Sequence, residues 1–173
     1  MKKGAETSQT GRPFVRPMTP SDLDQVIRIE EQSFPHPWTR EQFMTDLERG
    51  GVSQCHVAVT GDSENEIDQD GSSQKGQVVG FVMAWLIVDE LHITNLAVAP
   101  EARRGGIAAA LLKQSIREAT ELGAVWCQLD VRASNEPARE LYTRFGFKPL
   151  GTRKGYYQNG EDAVVMGREL GSS

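Results

Sequence analysis

Asn95-Leu96-Ala97-Val98-Ala99-Pro100-Glu101-Ala102-Arg103-Arg104-Gly105-Gly106-Ile107-Ala108-Ala109 carries three kinds of local structure in succession. It begins in a run of aliphatic and β-branched residues that starts at Leu91 and suits a strand. Pro100 ends that run and two glycines follow. From there Ile107, Leu111, Leu112, Ile116, Ala119 and Leu122 recur at helical spacing until Gly123 closes them. A strand therefore feeds a glycine turn that opens a helix. The first N–H groups of a helix lack intrahelical partners and carry partial positive charge, so an anion binds there wherever side chains stay out of the way. Gly105 and Gly106 keep them out, and Arg103 and Arg104 add charge suited to a diphosphate or a 3'-phosphate. No Lys-Ser/Thr pair follows the glycines, as an ATP-type loop requires, and there is no Gly-x-Gly-x-x-Gly dinucleotide fingerprint. Taken alone, such a helix start also reads as a plain tight turn.

On the N-terminal side, residues 78–88 read as a second strand, joined to 91–98 through Asp89-Glu90 as a long hairpin. Cys55, Val57 and Val59 alternate within a strand over 53–60. Two short helices precede it. One starts at Thr19-Pro20-Ser21-Asp22 and continues through Leu23, Val26, Ile27 and Glu30. The other starts at the capping box Thr39-Arg40-Glu41-Gln42, buries Phe43 and Leu47, and stops at Gly50-Gly51. Residues 14–17 are short and extended. On the C-terminal side, 125–131 is a strand, and Asn135 caps a helix with Pro137 in its first turn and Ala138, Leu141, Tyr142 and Phe145 facing inward. Gly146 ends that helix, and strands over 147–152 and 163–170 complete the sheet. The expected fold class is α/β (α+β): a mixed, mostly antiparallel sheet of about seven strands with helices on both faces. One domain spans 13–170. Residues 1–12 read as a flexible leader, 61–77 as a mobile acidic loop with too little apolar surface to order it, and 171–173 as a tail.

The 173 residues fit one core, with a hydrophobic share of 38% and a charged share of 25%. Acidic residues outnumber basic ones 24 to 19, and the net charge of -5 gives no electrostatic reason to meet nucleic acid or an anionic membrane. A basic peptide or an amine suits it better. No apolar run approaches the roughly 20 residues that span a bilayer, and the N-terminus lacks an apolar signal core. Cys55 and Cys127 read as buried free thiols in a reducing cytoplasm, and His36, His56 and His92 lack ligand spacing, so no metal is expected.

The run Asn95 to Ala108 resembles the coenzyme A motif of the GCN5-related N-acetyltransferase family, which places Gln or Arg, two variable positions, Gly, an apolar residue and then Gly or Ala where Arg103 to Ala108 stand. The resemblance covers nearly all of the folded part, from about residue 15 to 170. It implies acetyl-CoA as cosubstrate, held by Arg103, Arg104, Gly105, Gly106, Ile107, Ala108 and Ala109. The main chain of Leu96, Ala97 and Val98 would pair with the pantetheine arm and polarise the thioester carbonyl, a task suited to N–H donors.

Leu129-Asp130-Val131-Arg132-Ala133-Ser134-Asn135, then Leu141-Tyr142 and Phe145-Gly146-Phe147, resemble the bacterial ribosomal-protein alanine N-acetyltransferases within that family, the RimI type. The resemblance makes Asp130 the base, Tyr142 the acid and Asn135 a cofactor contact. Where the type has Glu, this chain has Asp130; the shorter side chain relays the proton through water, or the base lies elsewhere, with Glu30 in reserve. Without the resemblance, Asp130 reads as a strand-end carboxylate paired with Arg132 or solvent, Tyr142 as a core aromatic and Asn135 as a helix cap. Phe34-Pro35-His36-Pro37-Trp38, and Gly155-Tyr156-Tyr157 with Gly160-Glu161-Asp162-Ala163, also recur in N-terminal protein acetyltransferases, where these loops flank the groove that admits a peptide N-terminus, so Trp38, Tyr156 and Tyr157 are expected to shape acceptor access, or else only to pack a turn and a hairpin. The expected acceptor is a protein N-terminus, the alanine of a small ribosomal protein, met by a cytoplasmic monomer or weak dimer without direct nucleic-acid or membrane contact. The rivals are acetylation of a small amine and a non-catalytic acyl-CoA-binding module.

Overall fold

The structure, a computed structural model, describes residues 13–61 and 76–171. The expectations for 1–12, for most of the 61–77 loop and for 172–173 fall outside the described residues. Seven strands form one sheet: β1 (Phe14–Pro17), β2 (Ser53–Thr60), β3 (Gln77–Ile87), β4 (Glu90–Val98), β5 (Trp126–Arg132), β6 (Lys148–Arg153) and β7 (Ala163–Glu169). The helices are α1 (Leu23–Ser33), α2 (Arg40–Glu48), α3 (Ile107–Glu121) and α4 (Glu136–Arg144), with 3-10 turns at Pro20–Asp22 and Pro100–Ala102. The strand order is β1-β2-β3-β4-β5-β7-β6, and β4 with β5 is the parallel pair in an otherwise antiparallel sheet. The expected fold class holds, and no strand boundary moves by more than one residue.

Local chemistry explains the helix ends. Thr39 Oγ1 accepts from the Gln42 N–H and Gln42 Oε1 accepts from the Thr39 N–H at 2.8 Å, the reciprocal cap expected from the sequence. Asn135 Oδ1 accepts from the Ala138 N–H at 3.3 Å. Gly123 and Gly146, just past the ends of α3 and α4, take φ of 96° and 82°.

Two apolar layers lie on opposite faces of the sheet. One joins α3 and α4 to it through Ile107, Leu111, Leu112, Ala119, Tyr142 and Phe147; the other joins α1 and α2 through Leu23, Val26, Ile29 and Phe43. Covering both faces changes the expectation for β2. Val57 and Val59 are buried, and so are the alternate residues Gln54, His56 and Ala58. The strand is enclosed on two sides rather than half-buried.

A β-bulge interrupts β4. Met83 stands opposite Asn95 and Ala84 opposite Ile93, so Thr94 is the extra residue, and its Oγ1 donates to the Met83 carbonyl at 3.1 Å. The bulge inverts the side-chain alternation. Leu91 and Ile93 point into the α3/α4 layer before it; afterwards Leu96 and Val98 do, and Ala97 points into the α1/α2 layer. Parallel pairing with β5 ends at Ile93↔Leu129, one residue before the bulge. Beyond that point β4 and β5 part, with the remaining residues of each facing a wedge-shaped gap.

Close packing fixes α3 against the sheet beside this gap. A Cβ on Gly80 would lie 3.0 Å from the Ala97 carbonyl oxygen, 3.0 Å from Ile107 Cγ2 and 3.2 Å from Leu111 Cδ1. Gly80→Val is expected to destabilise the fold by about 1–3 kcal/mol through overpacking, read as a lower urea midpoint at unchanged m-value.

Candidate active site

The Ala99 N–H donates to the Val79 carbonyl at 2.8 Å, on the β3 side. Strand N–H groups alternate in direction, so those of Ala97 and Asn95 also face β3, while those of Leu96 and Val98 face the gap, where pairing with β5 has ended. At the end of β4, Arg103 Nε donates to the Val98 carbonyl at 3.2 Å and folds the turn back over the strand. Arg104 and Gly106 take left-handed φ of 64° and 77°, and α3 starts with no side chain capping it and no acidic residue in its first turn. The Ala110 N–H returns to the Gly106 carbonyl. The N–H groups of Ile107, Ala108 and Ala109 precede that first helical bond and retain their donor capacity.

These groups surround a cavity of about 580 Å³ lined by Leu96, Ala97, Val98, Arg103, Arg104, Gly106, Ile107, Ala108, Ala109 and Asn135, with Phe34, Leu141 and Tyr142 among its other walls. Of the expected cofactor contacts, Gly105 alone is not on this lining. Its Cβ would come no closer than 3.4 Å to the Ala102 carbonyl oxygen, so the turn takes its left-handed steps on either side of it.

A second cavity, of about 320 Å³, opens on the other side of the gap. Its walls include Glu30, Trp38, Asn95, Asp130, Arg132, Asn135, Tyr142, Tyr156 and Tyr157. Trp38 packs against Phe43 with ring centres 5.5 Å apart, and Tyr156 meets Tyr157 edge-on at 5.2 Å. Asp130 is 25% exposed at its side chain and pairs with Arg153 at 3.3 Å, so its partner is neither Arg132 nor solvent alone. Arg132 reaches Glu161 instead, at 3.0 Å. Tyr142 is buried, 5.8 Å from the Phe147 ring, and burial, with Tyr157 and Cys127 nearby, pushes its phenol well above the ordinary range. Glu30 is 1% exposed; its Oε1 accepts from the Trp38 N–H at 2.9 Å and its Oε2 from Asn95 Nδ2 at 2.8 Å. Burial lifts the Glu30 carboxyl above its usual value against the pull of those two bonds.

The family model described as "Acetyltransferase (GNAT) family" matches residues 23–147. The chain belongs to this acetyltransferase family. Among relatives, it is 37% identical over 153 residues, 88% of this chain and 92% of the other, to a Bacillus subtilis (strain 168) protein provisionally named ribosomal protein bS18-alanine N-acetyltransferase. It is 32% identical to the N-alpha-acetyltransferase of Saccharolobus solfataricus, over 92% of this chain and 95% of the relative. The crystal structure of the ribosomal-protein-S18-alanine N-acetyltransferase from Escherichia coli superposes with a TM-score of 0.77 at 27% identity, covering 94% of this chain and 96% of that one.

As a GNAT enzyme the chain uses acetyl-CoA as acetyl donor. The cavity beside α3 fits that molecule: free helix N–H groups and two arginines suit its phosphates, and the Leu96 and Val98 N–H groups suit an amide-bearing arm. Among the described residues no three His, Cys, Asp or Glu side chains come together to hold a metal, and no helix is long and apolar enough to cross a membrane. Sequence reading passed over Asn95 as a side chain, left Arg153 out of the site, and placed Glu161 in a loop flanking the groove without a role of its own. Asn95 lay inside the quoted motif, but the bulge that turns it toward Glu30 leaves no mark in residue spacing.

Gly106→Asp places a carboxylate at the mouth of the α3 N-terminus. Acetyl-CoA affinity is expected to fall at least about tenfold by calorimetry, through repulsion of the phosphates and occupation of the donors.

Proposed function

We propose that this enzyme acetylates the N-terminal α-amine of a protein, with the alanine of a small-subunit ribosomal protein as acceptor. One observation carries the reading: Phe34, Leu96, Asn135, Ala138 and Tyr142 line both cavities, so a donor held along α3 and a chain end entering past Trp38, Tyr156 and Tyr157 meet at Tyr142. The names of the B. subtilis and E. coli relatives supply the acceptor, and the net charge of -5 suits a basic ribosomal protein in the cytoplasm. The acceptor cavity has polar walls bearing the carboxylates Glu30 and Asp130, which attract an ammonium group before it loses its proton.

Acetyl-CoA, when bound, presents a thioester carbonyl whose acetyl group passes to the amine while the thiol leaves. An α-amine of pKa about 8 must shed a proton to attack, and Asp130 takes it through a water molecule. Arg153, at 3.3 Å, holds that carboxylate in place, and the side chain, one methylene shorter than a glutamate, suits a relay through water. Tyr142 keeps its phenol protonated because burial disfavours the phenolate, and it gives that proton at the sulfur. The Leu96 and Val98 N–H groups steady the carbonyl oxygen as it gains charge. Glu30 has both oxygens committed to Trp38 and Asn95, so it serves as the frame of the cavity floor.

With an alanine-starting peptide, Tyr142→Phe and Asp130→Asn are each expected to lower kcat about 100-fold while acetyl-CoA affinity holds. Asp130→Glu is expected to retain activity. Thiol release measured across peptides and small amines checks both roles and acceptor class, and equal turnover of a polyamine would defeat the assignment. Mass spectrometry of ribosomal proteins with and without the enzyme identifies the acceptor by an acetyl-sized N-terminal shift.

A further inference from the structure

The turn between β6 and β7 carries Tyr156 and Tyr157, yet its own sequence gives it little stiffness. It holds two glycines, Gly155 and Gly160, both at positive φ. Asp162 Oδ1 closes it from within by accepting from the Gly155 N–H at 2.8 Å, and what ties it to the rest of the site lies across the cavity mouth, in the 132–134 segment that leads from β5 to the α4 cap. Glu161 Oε1 accepts from the Ser134 N–H at 3.0 Å and from the Ser134 hydroxyl, and its Oε2 accepts from Arg132 Nη1 at 3.0 Å. The same guanidinium donates to Asn159 Oδ1 at 3.3 Å and lies 3.9 Å from the Tyr157 ring centre. Within the turn, the Tyr157 N–H donates to the Glu161 carbonyl at 3.1 Å, and beside it the Ala133 N–H donates to the Asp162 carbonyl at 3.1 Å.

We infer that Glu161 is a positioning residue for the acceptor. Its carboxylate clamps the β6–β7 turn onto the β5–α4 connection, which sets the place of Tyr157 and neutralises Arg132 at the wall of the acceptor cavity. The second effect matters as much as the first. Arg132 lines the cavity, and without Glu161 its uncompensated charge would face an arriving ammonium group. The three donors on the carboxylate, the Ser134 hydroxyl foremost, then its N–H and Arg132, hold the Glu161 carboxyl down to about 2, so the clamp stays charged throughout the range in which an amine acceptor is used. Glu161 is absent from the cofactor cavity, as is Arg132, so the clamp acts on one side of the reaction.

This inference rests on the acceptor reading given above, and the experiment separates the two. Steady-state kinetics with an alanine-starting peptide, together with calorimetric titration of acetyl-CoA, are measured for the wild type, Glu161→Ala, Arg132→Ala and the double variant. For Glu161→Ala the peptide KM is expected to rise about tenfold with kcat and acetyl-CoA affinity within about twofold, and added salt to narrow the gap. The double variant is expected to be no worse than the poorer single one, since both remove one interaction. An unchanged peptide KM, a loss confined to kcat, additive losses in the double variant, or lost acetyl-CoA affinity would each overturn the clamp. No turnover of the peptide by the wild type would overturn the acceptor reading, and the clamp with it.

Discussion

β4 and β5 hydrogen-bond as parallel neighbours up to Ile93 and Leu129, and everything chemical in this molecule depends on their stopping there. A sheet that stayed paired would use the Leu96 and Val98 N–H groups on its own ladder. The bulge at Thr94 ends the register on one side of β4 while β3 continues to pair on the other, so the strand keeps its support and gains a free edge inside the sheet. Donor groups held this rigidly need no reordering when a ligand arrives, which is the condition under which backbone amides act most effectively on a carbonyl.

The gap also needs a floor, and a buried carboxylate supplies it. Glu30 reaches from α1 to the main chain of Trp38 and to Asn95 just beyond the bulge, joining α1, the connection to α2 and β4. An ionised group so enclosed is costly unless hydrogen-bonded, and here each oxygen has a donor. The same inversion of alternation that brings Asn95 to Glu30 sends Leu96 and Val98 toward α3, so one irregularity serves the frame and the cofactor cleft together.

Much of this was legible in residue order. The capping residues Thr39 and Asn135, the helical spacing after Ile107 and the β-branched hairpin each state a local preference that the fold obeys, which is why fold class and element order could be read directly. The walls of the cavity beside α3 could be read as well, because their signal is a contiguous strand-turn-helix. The acceptor side was harder. Arg153, Glu161 and Asn95 bond to partners 23, 29 and 65 residues away, and periodicity carries no information about such pairings. For the same reason residue order offers Asp130 only Arg132 or solvent as a partner in the reading without the resemblance, whereas β6 brings Arg153 to it and the β6–β7 turn brings Glu161, which takes Arg132 away.

The left-handed backbone at Arg104 has a further consequence. A residue with a Cβ gives up about 1 kcal/mol or more to steric crowding in that conformation, a clash that glycine does not meet. The turn thus keeps a guanidinium at the cleft at the expense of its own repose. Glycine at this position would escape the steric cost, lose more freedom on folding, and strip the cavity wall of one positive charge, so the least comfortable backbone of the turn belongs to the residue that keeps the cleft electropositive.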